Sequence, residues 1–248
     1  MYKEKIDKRV PSIKELRKIC KKENYAAPWR IKALWSVSIY ITKLFLYLRV
    51  TSIQINFLMT IMGLIGILFF LKGEYLTNVI GLLLVHFSTL LDTVDGEVGR
   101  FRKETSGKSG YLDLMSHIIV FPLVLVGISI GTYWNNKTQL LSQFFLISGL
   151  VGAYFLIMIN MVRLKKYESC LKKKNFKALI SEAKSLSKKR DPPDIKCEIK
   201  SLFGIGQIFN LLFFFTIFNI LPYLLLVYGI VCPLVFLKNF YYALKKID

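Results

Sequence analysis

The sequence predicts an all-α integral membrane protein with six transmembrane helices and an N-terminal interfacial amphipathic helix. Two observations carry this. Of the 248 residues, 54% are hydrophobic, with a mean hydropathy of +0.45, which is too apolar for an ordinary soluble domain. Apolar runs near the ~20 residues a bilayer-crossing helix needs also recur along the chain. They fall at Ile53–Leu71, Thr77–Gly99, Gly110–Tyr133, Leu140–Val162, Leu202–Leu221 and Tyr223–Leu237.

The placement of charge sets the expected topology. The net charge is +19. With six spans and a cytosolic N-terminus, all but Lys72 and Lys137 of the 35 Lys and Arg fall inside or at the inner boundary. This positive-inside pattern places both termini in the cytosol of a cell-membrane protein. It also argues against nucleic acid as the partner of the basic charge and for anionic lipid headgroups. The cysteines Cys20, Cys170, Cys197 and Cys232 have no CxxC spacing, so neither a disulfide framework nor a thiolate zinc site is expected.

Residues 1–30 form a basic cytosolic segment, and 31–248 form the membrane domain. Ser12-Ile13-Lys14-Glu15 has the pattern of a capping box, followed by Ile13, Leu16 and Ile19 at helical spacing. Residues 31–49 mix apolar side chains with Lys32, Lys43 and Arg49. A span there would put the N-terminal charge outside, so the segment is expected to lie in the interface plane. A lysine-rich cytosolic insert covers about 163–200, with a helix near Phe176–Lys189 and a break at Pro192-Pro193.

Acids inside spans are costly, and a cluster of them needs compensation. Asp92 lies fifteen residues into the second span, about 22 Å along the helix at 1.5 Å per residue, in its cytosolic third. Asp95 follows at i+3. The chain then turns and re-enters, and Asp113 and His117, spaced i,i+4, return to the same depth. Three carboxylates and an imidazole at one level call for a cation, and oxygen ligands favour Mg²⁺ or Mn²⁺. Gly96 and Gly99 share the aspartate face, where absent side chains let a large ligand approach the backbone. Arg100 at the water boundary can hold a phosphate. His86, mid-span and off the aspartate face, is read as a packed polar residue.

The stretch Asp92-Thr93-Val94-Asp95-Gly96-Glu97-Val98-Gly99-Arg100, continued to Asp113 and His117, resembles the CDP-alcohol phosphotransferase (CDP-alcohol phosphatidyltransferase) motif D-x2-D-G-x2-A-R-x8-G-x3-D-x3-D. The intervals agree without a gap. The chain departs from the motif at Gly99 in the alanine slot, Ser109 in the last glycine slot and His117 in place of the fourth aspartate. Of the Thr-Pro-Asn-x-x-Thr stretch common at the start of the first span, Thr51-Ser52-Ile53-Gln54-Ile55-Asn56 keeps the first threonine.

The resemblance implies transfer of a substituted phosphoryl group from a CDP-linked donor to an alcohol acceptor, with release of CMP. Asp92, Asp95, Asp113 and His117 would hold Mg²⁺ or Mn²⁺, in two ions of which the second is weaker. Gly96, Gly99, Arg100 and Ser106 would contact the donor, His117 would be the base, and the protein would be a homodimer. A non-catalytic relative and a cation-binding or transporting membrane protein are the competing readings. The second leaves the glycines and arginine in register with the acids unexplained.

Overall fold

The computed structural model describes residues 10–20, 29–102, 107–135, 140–172 and 208–245. They form α1 (Ile13–Ile19), α2 (Trp29–Tyr47), α3 (Ser52–Phe70), α4 (Tyr75–Arg102), α5 (Gly107–Asn135), α6 (Leu140–Lys172), α7 (Ile208–Ile217) and α8 (Leu221–Leu244). Five of these are long and apolar enough to cross a membrane, namely α3, α4, α5, α6 and α8. The chain is therefore an all-α, multi-pass membrane protein. The described part of the expected span Leu202–Leu221 starts at Ile208 and is helical over Ile208–Ile217, and Asn219, at φ 53°, separates that helix from α8. The helix expected near Phe176–Lys189 and the break at Pro192-Pro193 lie outside the described residues.

Local sequence sets the helix starts. Ser12 and Glu15 form the expected capping box: Ser12 N donates to Glu15 Oε2 at 2.8 Å and Glu15 N to Ser12 Oγ at 3.3 Å. A second box opens α3, where Thr51 N donates to Gln54 Oε1 at 2.9 Å and Gln54 N to Thr51 Oγ1 at 3.3 Å. The stretch that departs from the family's Thr-Pro-Asn pattern is thus a helix cap.

Two apolar clusters hold the bundle. Phe70, Val85, Val124, Leu125, Leu156, Leu224 and their neighbours join α3 through α8. Leu16, Ile39, Ile55, Leu91, Val94 and Val98 join α1 and α2 to the Asp92 end of α3 and α4. Helices α3 and α4 approach closely at Gly66 and Gly81. A β-carbon on Gly81 would stand 2.8 Å from the Gly66 carbonyl oxygen, so this crossing tolerates glycine and little else.

Helix α2 is arranged unlike a surface helix in water. Val37, Tyr40, Leu44 and Tyr47 recur at helical spacing on its exposed face, while Ser38 and Thr42 are fully buried against α4. An apolar outer face suits contact with lipid. The basic insert begins later than 163, because α6 runs unbroken to Lys172.

Candidate metal centre

Helix α4 brings Asp92 to the α5 side of the bundle, and the first turns of α5 bring Asp113 and His117. One ligand atom from each lies within 4.8 Å of the other two. All three side chains are half-buried. His117 Nε2 stands 3.8 Å from Asp92 Oδ1. His117 Nδ1 lies 3.0 Å from the Asp113 backbone oxygen and 3.6 Å from Asp113 Oδ1. A carbonyl oxygen only accepts, so Nδ1 carries the proton and donates it there. The lone pair is then on Nε2, facing Asp92. The Phe121 ring packs at 4.7 Å, tilted, against the imidazole and fixes its plane.

The donor set fits a divalent cation. Asp113 Oδ1 is buried and has no hydrogen-bond partner among the described residues, although the rest of that side chain is partly exposed. A buried carboxylate oxygen with nothing to accept from, beside a second carboxylate, is the environment a metal ion satisfies. Two carboxylates and an imidazole match the hard-to-borderline divalent ions.

Asp95 stands apart from this group. It is 6% exposed, and Oδ2 accepts from Asn56 Nδ2 of α3 at 3.3 Å. Asn56 Oδ1 in turn accepts from Ser116 Oγ at 2.8 Å, so one amide ties α3, α4 and α5 together around the site. Asp113 and Arg100 are the charged groups that act on Asp95. The sequence reading gave Asn56 no role; its signal was an amide inside an otherwise apolar run.

Gly96 faces the Arg100 guanidinium, which folds back so that a β-carbon there would meet Nη1 at 3.4 Å. Gly99 faces Ser52, and Ser52 Oγ lies 3.3 Å from Ser109 Oγ. Ser109, the departure from the glycine slot, is therefore absorbed by a hydroxyl pair. Ser106 lies outside the described residues. His86 packs as expected: Nδ1 donates to the Leu82 carbonyl at 3.0 Å, and the ring tilts against Phe213.

Glu97 was passed over in sequence. It is fully buried and accepts from Ser38 Oγ and, at 2.6 Å, from Thr42 Oγ1. This clasp fixes α2 to α4 two residues beyond Asp95. A small pocket opens beside the acids, lined by Met59, Ser88, Thr89, Asp92, His117 and Phe121 among others. Its far walls are apolar, and its polar end is the metal centre.

No family model matches the chain, and no curated protein matches it in sequence. Fold and site together define a multi-spanning all-α membrane protein whose Asp92–Asp113–His117 cluster can hold one divalent cation, as a metal-dependent membrane transferase requires.

Proposed function

We propose that the chain is a CDP-alcohol phosphotransferase, moving a substituted phosphoryl group from a CDP-linked donor to an alcohol acceptor. The observation that carries the reading is the Asp92–Asp113–His117 cluster, with Asp113 Oδ1 unsatisfied, in register with Gly96, Gly99 and Arg100 along α4. A transported cation needs no such glycine and guanidinium beside its ligands.

Asp92 and Asp113 would hold Mg²⁺ or Mn²⁺, while Asp95, bonded to Asn56, fixes α4 behind them. A divalent cation held there would supply neutralisation of charge on the phosphoryl oxygens. Gly96 and Gly99 leave room for the donor against α4, and Arg100 and Ser106 bind its phosphates. His117 takes the proton of the acceptor hydroxyl on Nε2, the general-base role that an imidazole most often fills. The acceptor oxygen bonds to the phosphorus distal to cytidine, the bond from that phosphorus to the CMP oxygen breaks, and CMP leaves. With Nδ1 committed to the Asp113 carbonyl, Nε2 has one lone pair to give. It cannot ligate an ion and accept a proton at once, and we assign it to the proton while acceptor is bound.

In this reading six spans cross the cell membrane, with α2 lying in the interface plane. Both termini and the site face the cytosol, anionic lipids meet the basic face, and the protein is a homodimer.

The test is metal-dependent CMP release from CDP-diacylglycerol and other CDP-linked donors, offered a panel of alcohols. Alcohol-dependent release lost in Asp92→Asn and in His117→Ala supports the reaction and the base. Loss in Asp92→Asn alone removes His117 as base. No release with any pair removes the reading.

A further inference from the structure

Helix α6 carries a run of hydrogen-bond donors on the side that packs against α5. Its alignment with α5 follows from two close approaches. A β-carbon on Gly149 of α6 would collide with Ser129 Oγ of α5, and one on Gly110 of α5 would collide with the Tyr167 hydroxyl of α6. The helices are antiparallel, so each step forward along α6 is a step back along α5. Both contacts then put Asn160 level with His117 and Ile118. Asn160 and Tyr167 come eleven and eighteen residues after Gly149, close to three and five whole turns at about 3.6 residues per turn. They therefore share the stripe of α6 that faces α5.

The chemistry of this stripe points one way. Asn160 is 3% exposed, and its Oδ1 faces Arg163 Nη1 at 3.4 Å. A guanidinium only donates, so the atom turned to it is the amide oxygen. Asn160 Nδ2 is left buried with no partner among the described residues. A buried, unused donor at the level of a reacting centre is a binding group without its ligand. Tyr167 is half-buried, lies over Gly110, and has Asp113 as the charged group acting on it. Arg163 is on the same side of the helix, whereas Glu168 is about 100° round it. Amide, guanidinium and phenol all present donors, across about 10 Å of helix.

We propose that this run of donors binds the acceptor alcohol, and that the acceptor carries an anionic group, a phosphate or carboxylate, held by Asn160, Arg163 and Tyr167. The donors hold that group away from Asp92 and Asp113 while the reacting hydroxyl meets His117. The proposal rests on the phosphotransferase reading and adds the class of acceptor and the residues that select it.

The test uses the full chain and a matched pair of acceptors, glycerol 3-phosphate and glycerol, with CMP release as readout. The phosphate-bearing acceptor should be preferred in kcat/KM. Asn160→Leu and Tyr167→Phe should each reduce that preference about 10–100-fold, as expected for a lost hydrogen bond to a charged group. The KM for the CDP donor and the metal concentration for half-activation should not move, which a general loosening of the bundle would not allow. Tyr167→Phe keeps the test available if Asn160→Leu fails to fold. Preference for glycerol, or an unchanged preference in folded variants, overturns the proposal while leaving the phosphotransferase reading intact. If no acceptor yields CMP, calorimetry with glycerol 3-phosphate decides. Binding weakened in both variants keeps the anion site without the reaction, and absence of binding overturns it.

Discussion

Replacing Asp113 by asparagine should change stability in opposite directions with and without metal. Ligand atoms of Asp92 and Asp113 lie within 4.8 Å, and two unit charges at that separation repel by about 3 kcal/mol at an effective dielectric near 20. Both side chains are over a third exposed, at 34% and 40%, so solvent screening lowers this to about 1 kcal/mol. Asn keeps the shape and removes the repulsion. Without divalent cations, Asp113→Asn should therefore unfold about 2–4 °C above wild type, at the usual ~2–4 °C per kcal/mol for a chain of this size. Metal at about a hundred times its Kd adds about 2.7 kcal/mol to a protein that binds it, roughly 5–11 °C. Wild type should gain that, and the variant, with a ligand lost, little of it. The order of the two proteins should thus reverse on titrating Mn²⁺. The assay is thermal unfolding in detergent at fixed scan rate, first in chelator and then in Mn²⁺ or Mg²⁺. A carboxylate held for structure alone gives the same sign in both conditions. A variant less stable in chelator, or one that gains as much as wild type from metal, would refute the argument.

Three further outcomes are expected. Glu97→Leu orphans the Thr42 hydroxyl and leaves Ser38 only the Trp35 carbonyl, and should cost about 1–3 kcal/mol, whereas adding Thr42→Val should recover at least half of the loss in thermal midpoint. Gly81→Ala forces backbone against backbone at the α3–α4 crossing and should lower both the midpoint and metal-induced stabilisation; Gly96→Ala meets only the flexible end of Arg100, so its midpoint should stay within about 0.5 kcal/mol of wild type while donor KM rises. Asn56→Leu removes the amide that donates to Asp95, while Ser116 keeps the Leu112 carbonyl and Thr60, and should cost about 1–3 kcal/mol and weaken Mn²⁺ binding, read by the same thermal titration.

Much of the bundle was legible because five helices are apolar enough to announce themselves, and because Ser12 and Glu15 carry a complete capping signal. The cluster was legible through spacing. The i,i+4 pair Asp113 and His117, returned by a hairpin to the depth of Asp92, needed no tertiary knowledge. Asp95 shows where spacing stops being enough. Three residues turn a helix by about 300°, which leaves Asp95 about 60° from Asp92. That offset hands Asp92 to α5 and Asp95 to Asn56 of α3. The extension of α6 was hidden by composition. Arg163, Lys165 and Lys166 read as water-facing loop, yet they are good helix formers and the helix continues through them to Lys172. Glu97 was hidden by its neighbours, since its partners Ser38 and Thr42 are more than fifty residues away in sequence.

The three acids of α4 sit within six residues on one helix, and what each one faces separates structure from chemistry. Burying a carboxylate is costly unless donors surround it. Glu97 has two hydroxyls from α2, and Asp95 has an amide from α3. Asp92 instead meets a second carboxylate and, at 3.8 Å, an imidazole nitrogen whose proton is on the other side of the ring. Asp113 Oδ1 has no hydrogen-bond partner among the described residues. A sequence selected only for a stable bundle could have given Asp92 and Asp113 partners of the kind it gave Glu97. Asp92 and Asp113 instead face each other across α4 and α5, where a cation can satisfy both at once. The clasps at Glu97 and Asn56 then have a second consequence. They fix α4 against α2 and α3 on one side, so the face bearing Asp92 is held rigid where it meets α5. Rigid support behind a pair of facing carboxylates is what a metal-dependent site needs and a packing defect does not.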